Sequence, residues 1–476
     1  MSKSSHRNDT RLILIVFIIS RIVLSFFHIE MDYDALLRNW QYLDMDSLRN
    51  DLLRGIWYDH TQPPTFNLFL GIVLKLTGAY ARTAFILIYK ALTLANTLLI
   101  LDILRRLLPA SRLPLIISLI YILSPAAIIF ENELFYTTPI TLMLLIAARS
   151  LLVMQTDPAI RTGHVAGIFI PFILVCLTRS MYHIAWLIVI SLLLFGWFRR
   201  RSGMRILLGG ALTSILIVGS WYVKNYFIFH QATTSTWMGM NISRNVFHDH
   251  ERTDSSKIET IEPFSRISAY RNFLPAGYAD RYRGLDDKVL LSEYKNDSFI
   301  NEKNIAYIEV SRLYMEASKK ELKAHPLAYL KNVAQSAIIY FAPATRYPTT
   351  EYLSVRMRWY DLVYSFNLSH FAKGKQQRRI ALTLSAIPKF FFYASVFAWM
   401  VITSWRRRSI PGGLLTVFIT LTIAYIFVIS SFFEHYENMR FRYEAEPLFL
   451  IIAALALNDW LSKDRSPRSS ASSTQH

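Results

Sequence analysis

The sequence predicts an all-α polytopic membrane protein of about ten transmembrane helices, with further helices lying at the outer membrane surface. Three observations carry this. Of 476 residues, 53% are apolar and 18% charged, and the apolar residues fall in long runs instead of the alternation of a soluble core. Spanning segments must satisfy their own backbone hydrogen bonds in lipid, and no series of short alternating strands offers a barrel, so the runs are read as helices. The net charge of +18 sits largely in short basic clusters between the runs. Loops facing the cytoplasm have that composition, which sets nucleic acid aside as a partner.

The first run, residues 12–29, follows Lys3, Arg7 and Arg11 and precedes no strong cleavage signal, so it predicts a retained helix with its N-terminus inside. Residues 30–64 then form the first outer loop. Runs near 83–103, 113–130, 134–154, 164–180, 182–198 and 205–223 complete an N-terminal membrane module, 1–223. Alternation puts Arg105, Arg106 and Arg112 inside, then Arg161, then Arg199, Arg200, Arg201 and Arg205, as the charge rule requires. An outer region, 224–380, follows. Within it, 299–326 has apolar residues at helical spacing and predicts an amphipathic surface helix that roofs the site. Spans near 387–405, 411–433 and 444–461 form a C-terminal unit, 381–462, with Arg406, Arg407 and Arg408 inside. The Ser-rich tail, 463–476, reads as a disordered cytoplasmic segment. Two shorter apolar pieces are assigned to the outer interface: 65–78 is too short to span upright, and 327–342 carries Lys331 and Gln335. The single cysteine, Cys176, excludes an intramolecular disulfide.

The outer side collects the unusual residues. The first loop holds Asp32, Asp34, Asp44, Asp46, Asp51, Asp59 and His60; a later turn holds Glu131 and Glu133; the last reads EHYENMRFRYEAEP. Such asymmetry suits an active site at one membrane face. A transporter more often shows charged or broken helices near the midplane and two similar halves, and no internal repeat is evident here. Arg21 and Lys90, inside apolar runs, keep a channel or flippase reading open, although each can snorkel or pair with an acid. A noncatalytic assembly subunit is the third reading.

Three stretches resemble a known family. An acidic loop after the first span, closed by the Pro-Pro turn of HTQPPTFNLFLGIVLKLTG, is similar to that of the GT-C glycosyltransferases, in particular the bacterial relatives of protein O-mannosyltransferases and lipid A aminoarabinose transferases. GSWYVKNYFIFHQATTSTWMGMNISRN and MRFRYEAEPLFLIIAALAL resemble two later patterns of that family, while 244–324 matches none of it. The resemblance implies a GT-C-like fold in the bacterial cytoplasmic membrane. It implies an enzyme that moves a sugar from a polyprenyl-phosphate carrier to a glycan, lipid or protein acceptor at the outer face, with inversion and no covalent enzyme intermediate. It also implies that the catalytic acid lies just past the first span, hence Asp32 or Asp34. The competing role for either is capping of the helix beginning near Ala35.

Displacing a lipid phosphate needs a general base on the acceptor hydroxyl and cationic or donor groups on the leaving phosphate. Arg440 and Arg442, near a helix start, are the candidates for the phosphate, with Lys224 and Arg244 behind them. The alternative for the arginine pair is an interfacial anchor bonded to headgroups or to Glu444 and Glu446. Many relatives carry a second acid just before the fourth span, where this sequence reads TTPITLMLL with Thr137 and Thr138; Glu131 and Glu133 are the candidates to stand in, the alternative being that they are solvated turn residues. Aminoarabinose transferases place a Lys before the Pro of the first-loop turn, and here His60 and Gln62 stand nearby. Asp-x-Asp spacing by itself suits a hard divalent ion, but the resembled enzymes generally do without one, so no metal and no cofactor is expected. His248 and His250 lack the further ligands of a zinc site.

Overall fold

The structure, a computed structural model, describes residues 3–248, 256–264, 273, 282, 284–285, 287–296, 299–406 and 412–463. Arg407, Arg408, His250 and the tail from 464 onward lie outside the described residues. The apolar runs are helical, and the described strands amount to one short hairpin, Tyr294–Asn296 (β1) with Phe299–Ile300 (β2).

The chain opens with α1 (Lys3–Phe26), followed by three short helices in the first loop, α2 (Ala35–Arg38), α3 (Met45–Asn50) and α4 (Leu52–Tyr58). Next come α5 (Pro64–Thr77), α6 (Ala81–Leu107), α7 (Leu113–Leu123), α8 (Pro125–Glu131), α9 (Thr137–Thr156), α10 (Thr162–Cys176), α11 (Ile184–Phe198) and α12 (Met204–Phe229). The middle region holds α13 (Met238–Val246), α14 (Lys288–Leu291), α15 (Ala306–Ala324), α16 (Pro326–Tyr340), α17 (Glu351–Arg356) and α18 (Arg358–Ser365). Three long helices finish the chain: α19 (Gly374–Arg406), α20 (Gly413–Phe433) and α21 (Asn438–Lys463).

Among the described residues, six helices are long and apolar enough to cross a membrane, or seven if α7 and α8, bent by 54° at their junction, make one span. The expected ten is therefore not reached on length and composition. The physical reason is clearest at α10 and α11, which have 15 residues each and so extend only ~22 Å against a hydrocarbon core of ~30 Å. Residues 65–78, expected as a separate interfacial piece, fall in α5 and the first residue of a 3₁₀ turn at Gly78–Tyr80, through which α5 runs on into α6 to give a continuous helical stretch of 44 residues.

Helix α9 sits centrally, touching α6, α10, α20 and α21. Its Leu144, Leu145, Ala148 and Leu151 are buried in one apolar cluster with Phe418, Ile419, Leu448 and Ile452. Outward faces stay apolar and exposed, as at Ile18, Ile19 and Ile22 of α1 and Leu216 of α12. A polytopic protein has lipid there to cover them.

The two ends of the bundle differ. At one end Arg105 pairs with Asp9, Arg149 reaches Asp102 at 2.7 Å, and Arg201 donates to the carbonyls of Met154 and Gln155. At the other end lie the first loop, the turns after α8, α10 and α20, and α13 with α15 packed behind it. Tyr307, Val310 and Tyr314 form the buried stripe of α15. Gly239 of α13 approaches so closely that a Cβ would meet the Ser311 carbonyl oxygen at 1.9 Å.

Candidate functional site

Among the described residues, three cavities at the loop-rich end bear on the site. The first, about 610 Å³, holds both first-loop candidates. Asp32 is ion-paired with Arg38, and its Oδ1 accepts the Asp34 backbone N–H at 3.1 Å. Asp34 occupies the N-cap position of α2 but makes no side-chain cap bond, and its side chain is exposed. Asp32 also lines a second, smaller cavity of about 150 Å³, together with Glu133. Thr349 Oγ1 donates to Glu133 Oε1 at 2.9 Å, while Oε2 is buried without a hydrogen-bond partner. Burial pushes the Glu133 carboxyl up to about 7, against the pull of Arg440 and the Thr349 hydroxyl.

The third cavity, about 390 Å³, is lined by Gln62, Arg179, Arg244, Glu434, Glu437 and Arg440 among others, and shares Trp40 and Gln41 with the second. Arg440, 1% exposed, is held in an aromatic cage: its guanidinium carbon lies 4.5 Å from the Phe135 ring centroid and 5.0 Å from that of Tyr347. One terminal nitrogen binds Glu437, but Nε and Nη1 have no hydrogen-bond partner among the described residues. Arg179, in the turn between α10 and α11, stacks 3.7 Å over Phe441; its Nη1 binds Glu444 and its Nη2 has no hydrogen-bond partner among the described residues. Burial pulls Arg179 down to about 10, which leaves it charged at neutral pH. Buried N–H groups without acceptors are costly. Two guanidiniums with such groups on one cavity form a site that an anion's oxygens can complete.

The carboxylates beside them are unequal. Burial raises Glu434 to about 7 despite Arg244, whose Nη1 donates to Glu434 Oε1 at 3.0 Å. Glu437 also meets the burial penalty, but Arg440, Arg244 and Arg179 together more than offset it and hold the carboxyl below its ordinary value. Arg244 carries a second ion pair to Glu262 at 3.0 Å; burial opposes its charge, and the two glutamates raise its pKa above the usual guanidinium range.

The other expected residues are placed elsewhere. Arg442 follows Arg440 by two positions, ~200° around the helix, so the two guanidiniums do not converge. Arg442 donates to the carbonyls of Tyr340 and Ala342, to Tyr393 Oη at 2.5 Å and to Glu446 at 2.9 Å. Glu131 is fully engaged by Arg21, 2.6 Å away, which resolves the intramembrane arginine as an ion pair. His60 is buried, with Nδ1 at 2.7 Å from Thr236 Oγ1 and Nε2 at 3.0 Å from the Lys303 carbonyl; burial lowers it to about 4. Lys224 donates to the carbonyls of Trp57 and Asp59. Both belong to a network built on Asp59, whose Oδ2 meets Lys303 at 2.7 Å and whose Oδ1 accepts from Thr61, fastening the Pro-Pro turn to the middle region.

Of the third cavity's lining, Arg179, Glu434 and Glu437 were not singled out from sequence. A signal existed for Arg179: it is the sole cation in the turn LTRSMYH between two apolar runs. Its pairing with Glu444, 265 residues away, had none.

No family model matches the sequence, and no curated protein matches it. Among solved structures the chain is similar to the archaeal oligosaccharyltransferase AglB from Archaeoglobus fulgidus, in complex with an inhibitory peptide and a dolichol-phosphate, at 12% identity and TM-score 0.43, covering 99% of this chain and 53% of that one. It is also similar to ArnT from Cupriavidus metallidurans in the apo state, at 12% identity and TM-score 0.33, covering 96% of this chain and 81% of that one. The chain thus spans about half the length of the first of these structures.

Proposed function

We propose that the protein is a membrane glycosyltransferase that takes a sugar from a polyprenyl-phosphate carrier at the outer face of the cytoplasmic membrane. The observation that carries this reading is the third cavity, in which Arg440 and Arg179 are buried and keep N–H groups without partners. They are the groups that bind the leaving phosphate, with Arg244 held beside them by Glu434 and Glu262. Asp32, on the neighbouring acid-lined cavity, is the general base, with Asp34 as the second choice. The acceptor oxygen bonds to the anomeric carbon, the bond from that carbon to the phosphate oxygen breaks with its electron pair leaving on the phosphate, and Asp32 takes the acceptor proton. One displacement inverts the anomeric centre. The phosphate's charge grows as it leaves, so preorganised guanidiniums stabilise the transition state more than the ground state.

Reconstituted protein supplied with radiolabelled sugars on polyprenyl phosphates tests this. Asp32→Asn is expected to lower kcat ~10²–10⁴-fold, the usual range for loss of a general base. Arg440→Lys is expected to raise KM for the donor and lower kcat, since an ammonium does not reproduce the planar fork. No turnover by folded wild type with any donor, or donor-lipid counterflow in liposomes that survives Asp32→Asn, would reject the reading in favour of transport or assembly.

A further inference from the structure

The largest of the three cavities has a lining unlike the other two. Its carboxylates and guanidiniums are equal in number: Glu30, Asp32 and Asp34 face Arg38, Arg82 and Arg356, with His28 beside them. The partners alternate, Asp32 with Arg38 and Glu30 with Arg82 at 3.9 Å. Arg356 donates to the His28 carbonyl. Two tyrosines, Tyr33 and Tyr352, His28 and the Thr349 hydroxyl complete the polar wall, and Met31 is its only aliphatic side chain among the described residues. Tyr352 is 42% exposed, so its ring is open to a bound molecule.

Small-molecule cavities of this size, within the usual ~300–1,000 Å³, are ordinarily lined mostly by apolar side chains. The departure identifies the occupant. An acyl chain would meet carboxylates and guanidiniums that it cannot pair, which is costly. An extended peptide is held by a free strand edge or by apolar pockets for alternate side chains, and the lining offers neither. Each hydroxyl of a pyranose both donates and accepts. Neighbouring hydroxyls can thus give to a carboxylate and take from a guanidinium, and the ring's C–H face can lie on an aromatic side chain. The equal numbers of carboxylates and guanidiniums favour a ligand without a large net charge.

We infer that this cavity is the acceptor site and that the acceptor is a carbohydrate, whose attacking hydroxyl is presented to Asp32 where the two acid-bearing cavities meet. The inference rests on the glycosyltransferase reading and narrows its acceptor to one chemical class. Tyr352 and Arg82 are its specificity-determining side chains; Thr349, which lines both cavities and donates to Glu133, joins it to the second cavity.

The test is saturation-transfer NMR on the full chain in detergent with the methyl glycosides of glucose, mannose and galactose, a serine- and threonine-containing hexapeptide, and a short-chain phosphatidylglycerol as probes. Wild type is expected to transfer saturation to the ring protons of at least one glycoside. Tyr352→Ala and Arg82→Ala are each expected to reduce that signal three-fold or more, while Tyr352→Phe keeps it. No transfer to any glycoside, transfer to the hexapeptide alone, or a glycoside signal unchanged in both alanine variants overturns the inference. Release of free sugar from the polyprenyl-phosphate donor by wild type, measured without saccharide, reports on the transferase reading separately, so either can fail alone.

Discussion

Single residues at this site are set apart by what surrounds them more than by their type. Arg440 and Arg442 lie two positions apart in one helix; the first keeps two unpartnered N–H groups on a cavity, and the second spends its donors on carbonyls, a phenol and Glu446. The sequence marked both as phosphate candidates because it carries their charge but not their helical azimuth. Glu133 has a pH signature that separates it from an exposed turn glutamate. Burial raises its pKa to about 7, whereas an exposed glutamate titrates near ~4.3. Between those values the folded chain binds more protons than the unfolded chain. This carboxyl is therefore least unfavourable to folding at acid pH, and its contribution worsens as pH rises through about 7. Glu133→Gln removes that dependence. The Tm difference, variant minus wild type, should grow from pH 5 to pH 8; a flat difference across that range would mean Glu133 is hydrated and unshifted.

At the scale of elements, the sequence located most helices and misjudged how they join. An arginine inside the first apolar run signals a need for an acidic partner, but nothing local says which acid. Packing of α1 against α7, which leads directly into α8, delivers Glu131, 110 positions away. Arg21 is 8% exposed and Glu131 1% exposed, so truncating one partner strands a buried charge. Arg21→Ala should destabilise the protein by ~3–5 kcal/mol, and Arg21→Met combined with Glu131→Gln should recover most of that loss. Thermal unfolding in detergent measures both, and an Arg21→Ala variant as stable as the double substitution would remove the pair from the account. The first loop has a similar tether. Asp59 and Lys303 sit far apart in sequence and form a buried pair, so the HTQPP turn is positioned by the middle region.

For the whole molecule, the contrast between a basic end and an end rich in acids and loops is the physical basis for sidedness. Ser202 and Ala232 flank α12, and both are exposed. The natural cysteine, Cys176, is buried and should stay silent. In intact cells a membrane-impermeant maleimide should label Ala232→Cys, and Ser202→Cys only after permeabilisation; the reverse pattern would invert the topology and place the cavities in the cytoplasm. By itself the sequence determined the fold class, because long apolar runs have no stable form in lipid other than helices. It also determined which turns carry acid and which carry base, since charge distribution along a chain is legible without a fold. Only the tertiary structure decided the number of helices long enough to span, the partner of each buried charge and the cavity each side chain faces. Several of those depend on contacts between residues 100 or more positions apart, such as Arg21 with Glu131 and Arg179 with Glu444. Side-chain type along the chain encodes what must be paired, and the packing of helices decides with what.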